Sequence, residues 1–176
     1  MRTDQLRQEF DLELRWTLFP LHPETPEQGQ SLEQLFAGRI NVSSVLVRLK
    51  QVAESLDIPF SARTHTYNSR RAQELGKWAE LQGRGDAFRA AVYRAYFVDG
   101  RNIAKSTELT SIVASLGLSV TEARQVLNEQ TFASAVDADW QRSRNLGVSS
   151  VPTHHYESRV LVGFQEYAAF RRLISG

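Results

Sequence analysis

Hydrophobic residues recur at helical spacing along most of this chain, and the pattern predicts a molecule built largely from amphipathic helices. Residues 2–10 and 42–56 each place apolar side chains three or four positions apart. From residue 69 to residue 145 the spacing is helical only, with one apolar stripe around Phe88 and another around Leu109. The central part of the chain is therefore predicted to be a block of helices.

Two shorter segments show the pattern that is typical of strands. Apolar side chains occupy every second position from Leu12 to Leu18, which predicts a strand over residues 12–19. Near the C-terminus a hairpin is predicted over residues 153–163, followed by a last helix. Because these segments are far apart in sequence, we expect them to meet across the helices in an α/β architecture.

Turn and capping signals separate the predicted elements. Residues 20–30 contain three prolines and a glycine, which predicts an irregular loop. Ser31 stands three residues before Gln34, and Ser119 stands three residues before Glu122. Both pairs have the spacing of a capping box at the start of a helix.

The composition excludes several classes of function. The 176 residues carry a formal net charge of +1, which argues against nucleic acid or an anionic membrane as the main partner. No apolar run approaches the roughly 20 residues that span a bilayer. The first residues lack an apolar signal core, so we expect a cytoplasmic protein. The chain contains 0 cysteines, so it carries no thiol chemistry of its own.

The segment from Gly147 to Thr153 is the most informative part of the sequence. Gly147 suits the end of a helix, and Val151, Pro152 and Thr153 lead directly into the predicted hairpin. Because proline lacks an amide donor, Pro152 is expected at the start or the edge of a strand. Spacing alone favours a trans bond before it, which is the commoner isomer.

A helix, the sequence Gly-Val-x-x-Val-Pro-Thr, a hairpin and a terminal helix together resemble the second half of a thioredoxin fold. More narrowly, they resemble the DsbA-family oxidoreductases of the FrnE type, which are close to the 2-hydroxychromene-2-carboxylate isomerases. The same resemblance extends in order through residues 16–23, 68–72 and 95–103. It covers nearly the whole chain, from about residue 2 to residue 174.

The resemblance implies a thioredoxin fold with an inserted all-helical domain. Residues 1–66 and 146–176 would form the thioredoxin-like domain, and residues 67–145 the helical insertion. Members of the family begin with a strand that leads into Cys-x-x-Cys, or into a serine in the isomerase branch, whereas this chain starts inside or just after the next helix. We therefore expect the first core strand to be missing and the domain to be incomplete, through a start assigned too late or a truncated gene.

Val151, Pro152 and Thr153 are the candidate substrate-binding residues. In the family this proline is cis, lies against the active-site cysteines and belongs to a loop that holds an extended thiol substrate or glutathione through main-chain contacts. The alternative is a purely structural loop at the start of a strand. His154 and His155 point to opposite faces of a strand and are poorly placed to share a metal, so no metal-binding residue is assigned. An imidazole near the vacant active site could act as an acid or base, but without a cysteine no catalytic residue is assigned.

Asn68 and Arg70 stand near the position of a ligand in the isomerase branch. The simpler interpretation, which we prefer, is a helix cap by Ser69 or Asn68 and a solvated arginine pair that includes Arg70.

These observations predict a DsbA/FrnE-like protein of the thiol–disulfide oxidoreductase family that is redox-inactive in this chain. A glutathione-dependent isomerase-like protein and a non-catalytic thioredoxin-like binding domain stay open as alternatives. The expected partner is a thiol or disulfide substrate, or glutathione. Neither nucleic acid nor a membrane is expected as a partner. A homodimer that completes the sheet is a further possibility. We expect no cofactor. Glutathione is the one that the resemblance would allow.

Overall fold

The computed structural model describes residues 2–176, and within that range it contains helices joined by loops and four short strands. The helices are α1 (Arg2–Phe10), α2 (Leu32–Phe36), α3 (Val42–Ser55), α4 (Arg70–Leu81), α5 (Gly85–Phe97), α6 (Ser106–Ser115), α7 (Val120–Glu129), α8 (Ala133–Asn145) and α9 (Tyr167–Ser175). The strands are β1 (Gln30–Ser31), β2 (His65–Thr66), β3 (Thr153–Tyr156) and β4 (Arg159–Val162). The strands form two antiparallel pairs, β1 with β2 and β3 with β4.

The chain divides into two compact units. One comprises Met1–Leu21 and Asp137–Gly176, and the other comprises His22–Val136. The domain boundaries after residues 66 and 145 remain a prediction about domain organisation. The compact units divide the chain after residues 21 and 136.

The unit from His22 to Val136 is built around one hydrophobic cluster of α4–α7 side chains. Among the described residues of this cluster, Leu75, Leu109 and Val113 are fully buried, and Phe88 is 2% exposed. The stripes around Phe88 and Leu109 that were predicted from helical spacing both face this cluster, so the predicted helical block is confirmed.

Several local predictions are also confirmed. Helix α1 covers the predicted range, and α3 covers nearly all of residues 42–56. At the start of α2 the Ser31 hydroxyl accepts a hydrogen bond from the Gln34 amide, and the Gln34 side chain accepts one from the Ser31 amide. This reciprocal pair is a complete capping box.

The predicted strand over residues 12–19 is wrong. The structure gives residues 12–20 no strand assignment, although Leu12 and Leu14 are more buried than Glu13 and Arg15. Alternating burial requires only an extended backbone with one face covered, whereas a strand also requires a hydrogen-bonded neighbour. The part of the chain that the structure describes provides no neighbouring strand for this segment.

Side chains of α8 bind the main chain of this extended segment. The Leu18 amide donates to Asp139 Oδ2 at 3.2 Å, and the Ser143 hydroxyl donates to the Leu18 carbonyl at 2.9 Å. Asp139 and Ser143 are 4% and 3% exposed, so both contacts are shielded from water. The two side chains lie four residues apart and therefore share one face of α8.

The irregular loop predicted over residues 20–30 is confirmed as far as Gly29, and Gln30 begins β1. Side chains of the same compact unit hold residues 22–29 in place. The Asn68 amide donates to the carbonyls of Pro23 and Thr25 at 2.9 and 3.0 Å. The Asn102 amide donates to the Glu27 carbonyl at 2.9 Å. The loop is thus fixed through its backbone, without secondary structure of its own.

Replacing Leu75 by alanine should lower the free energy of unfolding by about 2–5 kcal/mol, because it leaves a cavity among fully buried side chains. Urea denaturation followed by circular dichroism measures this loss. Leu81→Ala, on the same helix at a position that is 75% exposed, is the matched control and should cost less than about 0.5 kcal/mol. Equal losses in the two variants would contradict the position of the core.

Replacing Ser143 by alanine should cost about 1 kcal/mol of stability, because the shielded Leu18 carbonyl loses its donor. The same denaturation experiment measures the effect, and amide exchange near Leu18 should become faster. Ser134→Ala is the control, since Ser134 is an exposed residue of the same helix. A Ser143 variant as stable as the Ser134 variant would show that the contact contributes nothing.

Candidate functional site

The candidate loop begins where α8 ends. Gly147 has φ +68, in the left-handed region that favours glycine, and it follows the last turn of the helix directly. The Gly147 amide donates to the Arg144 carbonyl, and the Val148 amide donates to the Ser143 carbonyl at 3.0 Å. These bonds satisfy the last carbonyls of the helix and turn the chain towards the loop, as expected for a glycine-terminated helix.

The three predicted substrate-binding residues lie together at the start of β3. The Val151–Pro152 peptide bond is cis, whereas spacing alone favoured trans. Val151 is 46% exposed, Pro152 is exposed, and Thr153 is partly buried. The Thr153 hydroxyl donates to the Ser150 carbonyl at 2.6 Å, which closes the loop on itself.

The hairpin register determines which main-chain groups of β3 are available. Thr153 pairs with Val162, and the Gly163 amide donates to the Pro152 carbonyl at 2.8 Å, just outside that pair. In an antiparallel ladder this pattern marks a non-hydrogen-bonded pair. The amide and carbonyl of Thr153 therefore point away from β4, and the same alternation directs those of His155 the same way.

This edge of β3 has no partner strand in the described part of the chain. A free strand edge offers a row of unpaired donors and acceptors to any extended backbone. Here the row begins at Thr153, immediately after the exposed loop. The arrangement can hold an extended peptide by main-chain hydrogen bonds, and it requires no reactive side chain.

His154 and His155 occupy different environments. The ring of His154 packs edge-on against Phe170 of α9, with the ring centroids 4.8 Å apart. Its Nδ1 is buried and lacks a hydrogen-bond partner among the described residues. Burial lowers the pKa of His154 from 6.5, the ordinary value. His155 is exposed. Within residues 2–176 no three metal-ligating side chains gather into a cluster.

Asn68 and Arg70 belong to the other compact unit and are engaged in its structure. The Asn68 side chain accepts a hydrogen bond from the Arg70 amide at 2.9 Å, one residue before the N-cap Ser69, whose own side chain makes no capping bond. Arg70 is not solvated as predicted: its Nε lies 2.8 Å from the carboxylate of Glu74, whose side chain is 4% exposed. Its Nη2 also donates to the Ala133 carbonyl. The sequence does not reveal this ion pair's burial, because i,i+4 pairs are common on exposed helix faces.

A helix, a cis-proline loop, a hairpin and a terminal helix, following a helical block, define a thioredoxin-like protein of the DsbA type. The chain belongs to the DSBA-like thioredoxin domain family, whose model matches residues 1–175. The fold is accordingly a DsbA-like thioredoxin fold, mostly helical with a few short strands. The protein is a DsbA-like oxidoreductase family member whose 176 residues include 0 cysteines.

Solved structures share this fold. The chain is similar to a probable DsbA oxidoreductase from Streptomyces coelicolor, with a TM-score of 0.85, 20% identity, and coverage of 97% of this chain and 79% of that chain. It is similar to a 2-hydroxychromene-2-carboxylate isomerase, with a TM-score of 0.73, 17% identity, and coverage of 99% and 84%. It is also similar to the cytosolic disulfide reductase DsbM from Pseudomonas aeruginosa with GSH, with a TM-score of 0.51, 29% identity, and coverage of 71% and 66%.

No curated protein sequence matches the chain. Among the described residues, the helices are all too short or too polar to cross a membrane.

Protonation of His154 should make the protein less stable as the pH falls. The folded pKa lies below the ordinary 6.5, so the unfolded chain binds more protons in the window between the two values. The free energy of unfolding should therefore be unaffected by His154 above that window and decrease as the pH falls through it. In His154→Gln the decrease should be smaller, as measured by urea denaturation at several pH values.

His155→Gln is the matched control, because the neighbouring ring is exposed. It removes an imidazole from the same strand and leaves the His154 ring packed against Phe170. If His154→Gln lost stability with pH as steeply as His155→Gln, the lowered pKa of His154 would be ruled out.

Proposed function

We propose that this chain binds glutathione or an extended thiol-containing peptide at Val151, Pro152 and Thr153. The observation that carries the proposal is the orientation of the Thr153 amide and carbonyl towards an edge of β3 without a partner strand in the described chain. Addition of a strand to such an edge is a recurring mode of peptide recognition. The structure of DsbM with GSH supports glutathione as a ligand class for this fold.

The chain itself performs no thiol–disulfide exchange. That reaction requires a thiolate as nucleophile, and 0 of the 176 residues are cysteine. An available strand edge in a chain without a thiol supports a role as a non-catalytic thioredoxin-like binding domain. A glutathione-dependent isomerase-like protein is the second candidate, which the similarity of fold to the 2-hydroxychromene-2-carboxylate isomerase supports.

The open edge also fits pairing with a second copy of the chain. Sedimentation across a range of protein concentrations tests this homodimer, and a strictly monomeric particle would exclude it. We also propose that the chain belongs to the FrnE-type subgroup and that it is located in the cytoplasm. Fractionation of native cells would test the location.

Titration of the isotope-labelled chain with S-methylglutathione should move the amide signals of Thr153 and His155 in a saturable way. The S-methyl compound has no free thiol, so it tests main-chain recognition alone. Thr153→Pro should abolish the saturable shift, because proline removes the amide that faces the open edge. Nuclear magnetic resonance spectroscopy measures both effects.

Val160→Pro is the matched control. Val160 pairs with His155 in the register of the hairpin, so its amide points to the opposite edge of the same two-stranded sheet. This variant should bind S-methylglutathione like the unchanged chain. The proposal fails if Thr153→Pro and Val160→Pro bind equally well, or if the shifts of the unchanged chain map away from β3.

A further inference from the structure

A small cavity lies within the unit from His22 to Val136, apart from the candidate loop. Its volume is about 130 Å³, and its lining residues are Ala62, Arg63, Thr64, His65, Tyr67, Tyr96 and Gly100. For comparison, a protein cavity of roughly 150 Å³ accommodates benzene. The space therefore suits a molecule of only a few non-hydrogen atoms.

Arg63 brings a positive charge to this cavity that no carboxylate neutralises. Among the described residues no Asp or Glu oxygen forms an ion pair with it. Instead the guanidinium lies over the rings of Tyr96 and Phe97, 4.7 and 5.2 Å from their centroids. Contact with aromatic faces stabilises a cation but leaves its in-plane N–H donors available.

The donors of Arg63 are only partly used. Its Nη1 donates to the Tyr96 hydroxyl, which in turn donates to the Thr66 hydroxyl at 3.3 Å. Its Nε is buried and has no hydrogen-bond partner in the described chain. A buried charged donor without an acceptor is costly, and native structures usually provide a partner. The terminal N–H groups of Arg63 make no other hydrogen bond in the described chain, so an oxyanion in the adjoining cavity would supply an acceptor for them.

The surroundings favour a single negative charge. No other arginine and no lysine lines the cavity, so a doubly charged phosphate would bring more charge than one guanidinium neutralises. The planar guanidinium matches the two oxygens of a carboxylate. The rings of His65 and Tyr67 stand nearly parallel, at 11° with centroids 6.4 Å apart, and provide flat walls for a short apolar tail.

We propose that the Arg63 cavity binds a small monocarboxylate, with the Arg63 guanidinium as the recognition element and the tail of the ligand against the aromatic walls. This site is independent of the proposed peptide binding at Val151–Thr153, since the two lie in different compact units. If one of the two binding proposals fails its test, the other is therefore unaffected.

Titration of the full isotope-labelled chain with propionate tests the site. The Nε–Hε signal of Arg63 should shift in a saturable way with propionate and should not respond to propionamide, which has the same size without the charge. Arg63→Lys should weaken binding by about tenfold or more, because lysine keeps the charge but lacks the planar fork. Arg94→Lys is the control: it lies on the helix that carries Tyr96, and Arg94 is exposed.

Three results would overturn the proposal. They are an equal response to propionate and propionamide, tighter binding of inorganic phosphate than of propionate, and unchanged affinity in Arg63→Lys. If Arg63→Lys did not fold, the comparison of propionate, propionamide and phosphate on the unchanged chain would still test whether the cavity binds a monocarboxylate. S-methylglutathione should leave the Arg63 signal unmoved, which keeps this test separate from that of the candidate loop.

Discussion

Hydrogen bonds from two side chains of α8 to Leu18 determine how the extended segment over residues 12–19 can exist in this protein. A backbone amide or carbonyl removed from water costs about 1–3 kcal/mol when it lacks a partner. Asp139 and Ser143 meet that requirement at Leu18, where strands normally do. The same helix ends at Gly147 and leads into the cis-proline loop. Helix α8 therefore binds the extended segment and also leads directly into the loop of the candidate site.

The helical part of the fold could be predicted from sequence because its signals are local. The apolar stripe around Leu109 and the capping box at Ser31 each depend on residues within a few positions of one another. The extended segment from Leu12 could not be read correctly, because alternation reports one-sided burial and says nothing about a neighbouring strand. Pairing depends on distant parts of a chain, and that information is absent from a local pattern.

The candidate sites differ in the same way. Val151, Pro152 and Thr153 form a contiguous motif, so a resemblance could single them out, and the hairpin register then indicated which main-chain groups are available. The Arg63 cavity depends on Tyr96, more than thirty positions away in the sequence. An arginine two residues before a single histidine, His65, gave no signal for it. Only the fold brings the cation and the aromatic rings together.

Lack of secondary structure does not make residues 22–29 independent of the helices. Asn68, at the entrance to α4, and Asn102, before α6, hold the loop by its own carbonyls. The stability of the loop therefore depends on the helices, because these carbonyls lose their partners when the ends of the helices open. In terms of folding, the loop and the helical cluster are coupled, because release of the loop carbonyls requires movement of the segments that carry Asn68 and Asn102.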